Sequence, residues 1–444
     1  MKKLRHVLAV IACKLLIKLG VLMGKKGSSL PGSVAMKIAP DILRTLSKQI
    51  KKEIVLVCGT NGKTTTNNLI YSLMKKDGIG VVCNNVGANM LPGVACAFIS
   101  KANIWGKLSA DTASIECDEA SVRHIVKHIT PQKIVVTNLF RDQSDRYGEI
   151  ENTAMLLKEA FDKVPEAVLV LNADDPYSTE LGKGRKCIYF GVSENALDDA
   201  NGESPLCPIC ANPLRYEYHL YNQLGKYACC KCDFERPNPN YSATRVCRED
   251  GLEFVLSYKG EQHKLSVNYR GFYNIYNILA SFAVFESMGG SIYTAREVFD
   301  EYKPQLGRME EFTIEGKKVI LNLAKNPAGF NQAISTVMSD NRTKNILVAV
   351  NDMPSDGTDI SWLWDTEFEK LNSDTVASVY AGGTRQDDLA LRLKYADVST
   401  ASMTTLTEDD IKKFIRESGE VCYLVVNYTV LFGLQSILKA LEDK

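Results

Sequence analysis

The sequence predicts an α/β protein in which two units of alternating strands and helices follow one another along the chain. Apolar, β-branched segments alternate with helical patterns in the first unit, and a second alternation of the same kind begins after Arg308. A module with five cysteines between residues 207 and 232 interrupts the first unit. At 444 residues the chain is too long for one compact core, since domains usually run to roughly 100–200 residues, so we expect two or three domains.

The composition is that of an ordinary globular protein, with 45% apolar and 24% charged residues. Lys plus Arg and Asp plus Glu both number 53, so the chain has no net charge to attract nucleic acid, and we expect no nucleic-acid partner. Thirteen cysteines spread through so long a chain, five of them in one cluster, favour a reducing compartment over a disulfide scaffold. We therefore expect a cytoplasmic protein.

Residues 1–50 are predicted to form an N-terminal helical segment. Its first part joins basic residues to an apolar run, as a signal peptide does, but Lys14 and Lys18 interrupt that run. No stretch approaches the roughly 20 apolar residues that a membrane-spanning helix needs. The first interpretation is an amphipathic helix packed on the protein, and the alternative is a helix lying on the inner membrane surface.

A strand–loop–helix unit opens the central domain, which is predicted over residues 51–311. The glycine-rich loop that follows the apolar run Ile54–Val57 consists of Gly59, Thr60, Asn61, Gly62, Lys63, Thr64 and Thr65. Between a strand and a helix, such a loop can hold phosphates with its backbone N–H groups. Lys63 would then reach the outer phosphates, and the Thr64 hydroxyl would bind Mg²⁺. The loop therefore predicts ATP and Mg²⁺ as ligands, although it is two residues shorter than the general Walker motif.

Two polar segments follow later strand candidates of the same domain. Glu116 belongs to the acidic segment 114–119, where a carboxylate near a P-loop would give Mg²⁺ an oxygen ligand; a solvated strand end is the alternative. Asn138 opens the segment 137–148, which begins where the strand candidate 133–137 ends. Ligand sites of open α/β sheets usually lie at such strand ends. These two residues are therefore candidates for the site.

The order of these motifs resembles the central domain of Mur ligases. The further motifs that carry the resemblance are Asn172-Ala173-Asp174-Asp175-Pro176, the pair Asn274 and Asn277, and Gly307-Arg308. The resemblance implies that Glu116 binds Mg²⁺ and that Asn138 lies near the phosphates. It also implies that Asn274 and Asn277 border the adenine, and that Arg308 contacts phosphate.

This chain departs from the Mur ligase pattern at two positions. Gln143 stands where those enzymes usually have a histidine, which leaves binding of a second metal open at that position. Lys325-Asn326-Pro327 replaces the H-N-P sequence that Mur ligases usually place near the reacting phosphate.

Two C-x-x-C pairs lie within a module predicted over residues 200–240. Cys207 and Cys210 are separated from Cys229 and Cys232 by eighteen residues, a spacing typical of a zinc ribbon. Because four thiolates leave no open coordination position, the predicted Zn²⁺ is structural, and Cys230 is not expected to bind it. The alternatives are reduced cysteines without metal, a redox pair, or a nucleic-acid-binding ribbon.

Residues 312–444 are predicted to form a Rossmann-like α/β domain, with strand candidates at 318–323, 345–350, 376–381 and 421–426. Asp352, Asp356 and Asp359 lie in a turn-rich loop beyond the second of these strands. Because surface turns are commonly acidic, a solvated loop is the alternative to a functional one.

Together with residues 382–385 and 392–395, this loop resembles one family of Mur ligases in particular, the MurT family, over nearly the whole chain and including the ribbon. MurT proteins are synthetase subunits of lipid II isoglutaminyl synthases, and their partner is the glutaminase GatD. The resemblance implies ATP-dependent amidation of the α-carboxylate of D-glutamate in the lipid II stem peptide, through an acyl phosphate, near the inner face of the cell membrane. Because the P-loop begins at residue 59, we expect no uridine-nucleotide-binding domain before it.

The residues also predict where the ammonia comes from. The chain has five histidines and no G-x-C-x-G elbow, so a partner must supply the glutaminase. The resemblance implies that an aspartate of the loop completes the partner's Cys-His pair. Asp356 is our choice, with Asp352 and Asp359 as alternatives, beside Lys63 and Glu116 as catalytic residues. The rival functions are an amino-acid-adding Mur or folylpolyglutamate-type ligase and a nucleotide-binding scaffold without activity.

Overall fold

The computed structural model describes residues 2–22, 29–84, 88–142, 150–197, 205–248, 251–302 and 307–442. Gln143, which stands in place of the Mur ligase histidine, lies outside these ranges. Among the described residues the strands form one sheet of nine strands, one of six and one of two. The predicted α/β fold class is therefore confirmed.

The nine-stranded and two-stranded sheets come from the part of the chain before residue 270. Their strands are β1 (Ile54–Cys58), β2 (Val81–Cys83), β3 (Thr112–Glu116), β4 (Lys133–Val136), β5 (Val168–Asn172), β6 (Cys187–Val192), β7 (Leu214–Tyr221), β8 (Leu224–Cys229), β9 (Tyr241–Cys247), β10 (Leu252–Tyr258) and β11 (Glu261–Val267). The large sheet has the order β11-β10-β9-β6-β5-β4-β1-β3-β2. Its strands are parallel from β2 to β9, and β10 and β11 extend it as antiparallel strands.

The six-stranded sheet comes from the C-terminal part of the chain. Its strands are β12 (Glu310–Ile314), β13 (Lys317–Leu323), β14 (Lys344–Ala349), β15 (Val376–Gly382), β16 (Ala401–Met403) and β17 (Val421–Val426). The order is β12-β13-β17-β14-β15-β16, and only β12 pairs antiparallel. The four strands that the sequence predicts here correspond to β13, β14, β15 and β17.

Helices cover both faces of the two large sheets. They are α1 (Lys2–Leu22), α2 (Ser29–Ile38), α3 (Ile42–Ser47), α4 (Lys63–Lys76), α5 (Leu91–Lys101), α6 (Glu119–Ile125), α7 (Ile150–Phe161), α8 (Pro176–Glu180), α9 (Tyr273–Glu286), α10 (Ile292–Glu301), α11 (Pro327–Met338), α12 (Gln386–Tyr395), α13 (Glu408–Ile415) and α14 (Tyr428–Glu442). Short 3₁₀ helices occupy Ser361–Asp365 and Phe368–Leu371.

Strand β1 shows how the sequence builds two cores around one sheet. Successive side chains of a strand point to opposite faces. Val55 and Val57 join the core that contains α4 and α9, and Leu56 joins the core that contains α1, α2 and α5. Burial on both faces explains why the strand is a continuous apolar run rather than an alternating one. The P-loop leaves the carboxyl end of this central strand.

The two-stranded sheet is a hairpin, β7 and β8, that leaves the large sheet and returns to it. It lies between β6 and β9 in the sequence, although these two strands pair with each other. Cys207, Leu214, Tyr227 and Cys229 form a small core at its base. The turn at the other end of the hairpin lies near the P-loop.

Candidate functional site

Two glycines give the P-loop its shape. Gly59 and Gly62 have positive φ angles of 115° and 85°, which residues with a Cβ rarely adopt. A Cβ on Gly59 would lie 2.4 Å from Thr137 Oγ1, and a Cβ on Gly62 would lie 2.3 Å from Asn277 Oδ1. Both positions therefore need glycine for conformation and for space.

Asn138 holds the loop from the neighbouring strand end. Its Oδ1 accepts a hydrogen bond from Asn61 N at 2.9 Å, and its Nδ2 donates to Asn61 O at 3.1 Å. Thr60 N also donates to Asn138 O at 2.8 Å. In this structure Asn138 fixes the backbone of the loop.

Lys63 is buried and folded back into the loop. Its Nζ donates to Gly59 O at 2.5 Å, to Thr60 O at 3.1 Å and to Glu119 Oε1 at 2.7 Å. Burial alone would lower the pKa of Lys63, but the Glu119 carboxylate raises it above its ordinary value. Burial raises the pKa of Glu119, and Lys63 offsets only part of that rise. Glu119 is not among the predicted site residues. The only feature of the sequence that pointed to it is the acidic segment 114–119.

Glu116 is the last residue of strand β3, and only one of its two carboxylate oxygens accepts a hydrogen bond among the described residues. Oε1 accepts a hydrogen bond from Asn89 Nδ2 at 3.2 Å, whereas Oε2 is buried and finds no partner among the described residues. Asn84 holds the Glu116 backbone through two hydrogen bonds of 2.8 Å. Because an unsatisfied buried oxygen is costly, its position beside the P-loop suits a cation ligand.

A cleft lies between the P-loop and the six-stranded sheet. Its walls come from both parts of the chain: Asn61, Gly62, Thr65, Tyr221, Tyr273, Arg308, Asn322, Leu323, Ala324, Lys325, Ala328, Gly329 and Gln332. Four residues that the sequence analysis assigns to ATP line the cleft, namely Asn61, Gly62, Thr65 and Arg308. The backbone of the P-loop and the cationic side chains of Arg308 and Lys325 in this lining are groups that bind phosphates.

Asn274 and Asn277 lie behind the P-loop and do not line this cleft. Asn277 Nδ2 donates to Asn274 Oδ1 at 2.9 Å, and Asn277 Oδ1 accepts from Thr66 Oγ1 at 3.2 Å. Asn277 also occupies the space next to Gly62. In this structure the pair contacts the first turn of α4.

The Lys-Asn-Pro segment connects the second sheet to the P-loop. Asn326 and Asn61 exchange side-chain hydrogen bonds of 3.3 and 3.2 Å across the cleft. Asn326 Oδ1 also accepts from Gly329 N at 2.8 Å and so caps helix α11. Lys325 Nζ forms an ion pair of 2.5 Å with Asp142 Oδ2. The two parts of the chain thus meet at the predicted phosphate site.

The three aspartates of the 351–365 loop have different surroundings. Asp356 is 6% exposed, and Thr429 holds it: Oδ1 accepts from the Thr429 backbone N at 2.9 Å and Oδ2 from its hydroxyl at 2.5 Å. Asp352 accepts from Thr384 Oγ1 at 2.8 Å and is more exposed. A hydrogen bond from the Ser361 backbone lowers the pKa of Asp359. Of the three, Asp356 is held most rigidly.

The four cysteines of the two C-x-x-C pairs come together. All four Sγ atoms lie within 4.8 Å of one another, and the closest pairs are 3.5 to 3.7 Å apart. Four thiolates at a Zn–S distance of about 2.3 Å have sulfurs roughly 3.8 Å apart, so the cluster fits a tetrahedral metal. Backbone N–H groups of Lys231 and Cys232 point at Cys229 Sγ at 3.4 Å. Cys230 is exposed and outside the cluster.

The hairpin that carries Cys229 reaches the same cleft at its other end. Tyr221, the last residue of β7, lines the cleft. Gln223 in the turn is buried, and its Nε2 donates to Leu139 O at 2.5 Å, one residue after Asn138. Sequence reasoning missed both residues, since neither belongs to a motif.

A buried ion pair fixes the segment that follows the same hairpin. Arg236 Nε contacts Asp174 Oδ1 at 2.6 Å, and the hydroxyl of Tyr276 donates to Asp174 Oδ2 at 2.7 Å. Burial raises the pKa of Asp174, and Arg236 lowers it in part. The adjacent Asp175, which receives hydrogen bonds from Leu139 N and Gln223, has a pKa that burial raises to about 7. The N-A-D-D-P motif thus holds the hairpin against the sheet.

Replacing Gly62 by alanine should damage the site without unfolding the chain. The new methyl group would displace Asn277 or the loop, and a displacement of about 1 Å at a reacting group can lower turnover by roughly a hundredfold. Gly78→Ala is the control, because Gly78 also has a positive φ, of 74°, but nothing lies within 4 Å of its Cβ position. ATP turnover and thermal unfolding should be measured on both. Equal turnover in the two variants would mean that the space beside Asn277 is unimportant.

Sequence models of two families match this chain. The model of the Mur ligase middle domain matches residues 57–204, and that of the MurT ligase C-terminal region matches residues 323–431. The first match contains the P-loop, Glu116 and Asn138. The second contains the Lys-Asn-Pro segment and the aspartate loop.

Curated relatives and a solved structure extend over most of the chain. The sequence is 37% identical over 436 residues to the MurT subunit of the glutamine-hydrolysing lipid II isoglutaminyl synthase of Staphylococcus aureus, covering 96% of each chain. The corresponding subunit of Streptococcus pneumoniae is 34% identical and covers 93% of this chain and 92% of its own. A pseudomurein peptide ligase type C from Methanothermus fervidus has a similar fold, with a TM-score of 0.71 at 23% identity over 89% of this chain and 80% of its own.

Proposed function

The chain belongs to the MurT family of Mur ligases, the subunits of lipid II isoglutaminyl synthases, and from this premise we propose that it amidates the lipid II stem peptide at the expense of ATP. The target is the α-carboxylate of D-glutamate, which becomes D-isoglutamine. Mur ligases are ATP-dependent ligases, and one juxtaposition carries the proposal. The P-loop lines a cleft that the second sheet closes, and Glu116, whose Oε2 has no partner among the described residues, ends the strand that pairs with the P-loop strand.

The proposed reaction has two steps with an acyl phosphate between them. A carboxylate oxygen of the substrate attacks the γ-phosphorus of ATP, and ADP leaves. The nitrogen of ammonia then attacks the acyl carbon, phosphate leaves, and the nitrogen loses a proton to give the amide. Both steps concentrate negative charge at the phosphates, so positioned cations would supply most of the catalysis. Lys63 and Arg308 are the protein's candidates for that role.

Lys63 would exchange partners when ATP binds. In this structure its ammonium group is bound to Gly59 O, Thr60 O and Glu119. The phosphates offer the same charge-assisted contacts that the lysine gives up. Glu119 would therefore keep the loop lysine charged and ordered until the nucleotide arrives.

Glu116 and the Thr64 hydroxyl are the residues that would hold Mg²⁺. The buried Oε2 of Glu116 has no partner among the described residues, and Thr64 lies in the first turn of α4. When bound, the ion would neutralise part of the charge of the phosphates. Asn138 would support the same place by holding Asn61, and Asn274 and Asn277 by supporting Gly62 from behind.

We propose that the parts of the chain divide the work. Residues 51–311 would form the ATP-binding central domain, with residues 200–240 as its ribbon, and residues 312–444 would close the cleft and meet the partner. Residues 1–50 would form a helical segment that packs on the central domain. The reaction would take place in the cytoplasm at the inner face of the membrane, where a lipid-linked substrate is within reach.

Ammonia would come from a glutaminase partner that resembles GatD and forms a heterodimer with this chain. Near neutral pH the ammonium ion is not a nucleophile, so enzymes of this kind release ammonia from glutamine at a Cys-His site. We propose that Asp356 orients the partner's histidine. Its support is the fixed geometry that Thr429 gives the carboxylate, which resembles the held third member of a catalytic triad.

We also propose that the cysteine cluster binds one structural Zn²⁺. Cys210→Ser should lower the zinc content from about one ion per chain to near zero, because three thiolates hold zinc less tightly than four. The KM for ATP should rise several-fold, since the same hairpin places Tyr221 at the cleft and Gln223 against Leu139. The control is Cys230→Ser, at an exposed cysteine outside the cluster. It should change neither the zinc content nor the KM for ATP. Zinc analysis and ATP kinetics check the two results, and a wild-type chain free of zinc would contradict the proposed zinc site.

A reconstituted assay tests the proposed function. The chain, a candidate glutaminase, lipid II, ATP and glutamine should give a lipid II product in which an amide replaces one carboxylate, together with ADP and phosphate. Omitting the glutaminase should stop the reaction, and ammonium should restore it. Activity of the chain alone with an amino acid would favour an amino-acid-adding ligase instead, and ATP binding without turnover would favour a scaffold.

A further inference from the structure

Helix α1 exposes a continuous row of large apolar side chains. The row consists of Leu4, Leu8, Ile11, Leu15, Leu19 and Leu22, whose exposures range from 38% to 83%. They recur every three or four residues, which places them on one side of an α-helix. Single exposed apolar residues are common on protein surfaces, but such a contiguous row marks an interaction site.

The opposite side of α1 is packed on the protein, so the helix cannot turn to hide the row. Ala9, Val10 and Cys13 are fully buried against helices α2 and α5. Arg5 Nε donates to Ile38 O at 3.2 Å, and Lys14 Nζ donates to Ser100 O at 3.3 Å. These contacts fix which side of the helix faces outward.

The charge of α1 indicates what covers the row. The helix contains five basic residues and no acidic one, although the whole chain has no net charge. At about 100° per residue, Lys18 lies at one border of the row and Arg5 at the other. Long basic side chains at the edge of an apolar stripe can reach anionic headgroups while the stripe enters the acyl region.

We propose that α1 docks the protein on an anionic phospholipid surface, lying in the plane of the membrane. No helix among the described residues is long and apolar enough to cross a bilayer, so α1 would rest in the interface. The inference deepens the proposed function, because a lipid-linked substrate is held in that surface. The evidence for docking is the exposed apolar row and the basic residues of α1. Neither observation depends on the amidation reaction.

Vesicle co-sedimentation of the full chain, alone and with its glutaminase, tests the docking. The vesicles contain equal parts of phosphatidylglycerol and phosphatidylcholine. Leu8→Glu combined with Leu15→Glu should weaken binding by about tenfold or more, because two carboxylates would enter the apolar layer. The control combines Met155→Glu with Leu391→Glu, two exposed apolar residues on α7 and α12, and should bind as the wild type does.

Further measurements distinguish lipid binding by α1 from protein binding at the same apolar row, and also from the amidation reaction. Higher salt should weaken wild-type binding, as expected for basic residues near anionic lipid. Amidation of lipid II in detergent should be unchanged in the Leu8 and Leu15 variant, so a failure of the proposed reaction would be seen separately. The docking is overturned if the wild type does not bind vesicles or the variant binds equally well. It is also overturned if the variant instead dissociates a dimer or loses the glutaminase.

Discussion

Replacing Asp356 by alanine should abolish glutamine-dependent amidation and leave ammonia-dependent amidation nearly intact. An orienting carboxylate holds the histidine of a triad in its active tautomer, and its loss lowers turnover by about 10⁴-fold. Added ammonium bypasses the glutaminase and reports on the ATP site alone. The measurement is amidated lipid II formed by the chain and its partner, with glutamine and with ammonium as separate nitrogen sources.

The other two loop aspartates are the controls for this result. Asp352→Ala and Asp359→Ala remove carboxylates of the same loop whose partners are Thr384 and Ser361. Neither change should lower glutamine use comparably. Asp356 is also hydrogen-bonded to Thr429, so Thr429→Val should be compared with Asp356→Ala. The valine variant removes the hydroxyl donor and keeps the backbone donor. Loss of glutamine use at Asp352 or Asp359 alone would move the orienting role to that residue.

Replacing Lys63 by methionine should stop ATP hydrolysis and amidation with either nitrogen source. The ammonium group is the loop's own cation, and removing such a charge from a phosphoryl-transfer site costs about 10³-fold or more in rate. Methionine keeps an unbranched apolar side chain of nearly the same length and removes the ammonium group with its contacts to the loop carbonyls and Glu119, so thermal unfolding should be measured as well. ADP release and amide formation should both be followed.

Lys75→Met is the matched control, since Lys75 lies exposed in the last turn of the same helix. Its rates should equal those of the wild type. If the Lys63 variant instead kept ammonia-dependent amidation, the P-loop would not be the phosphate site. The cleft between the P-loop and the six-stranded sheet would then not be the ATP site.

Local patterns predicted the parts of this fold that depend on short stretches of sequence. The apolar run 54–57 and the glycines after it determine a strand, a turn and a helix start within about a dozen residues. The two C-x-x-C pairs likewise predicted that four cysteines come together, because each pair is a local knuckle. In both cases neighbouring residues carry the information.

Contacts between distant segments could not be predicted in this way. Asn61 and Asn326 are 265 positions apart, and their hydrogen bonds depend on how the two sheets pack. Glu119 gave a weak acidic signal, and only the packing of α6 beside the P-loop brings it to Lys63. Gln223 belongs to no motif, because its role depends on where a hairpin of the ribbon ends. The sequence therefore indicates the glycine-rich loop and the motif residues Arg308 and Lys325, but not the contacts between them and not a wall residue such as Tyr221.

The mass of lipid II after incubation with this chain, ATP, Mg²⁺ and ammonium, without any partner, shows whether the chain itself amidates lipid II. We expect a product in which one carboxylate has become an amide, formed only when ATP is present and absent with the Lys63→Met variant. An unchanged lipid II mass, or a product that has gained an amino acid instead of an amide nitrogen, would contradict it.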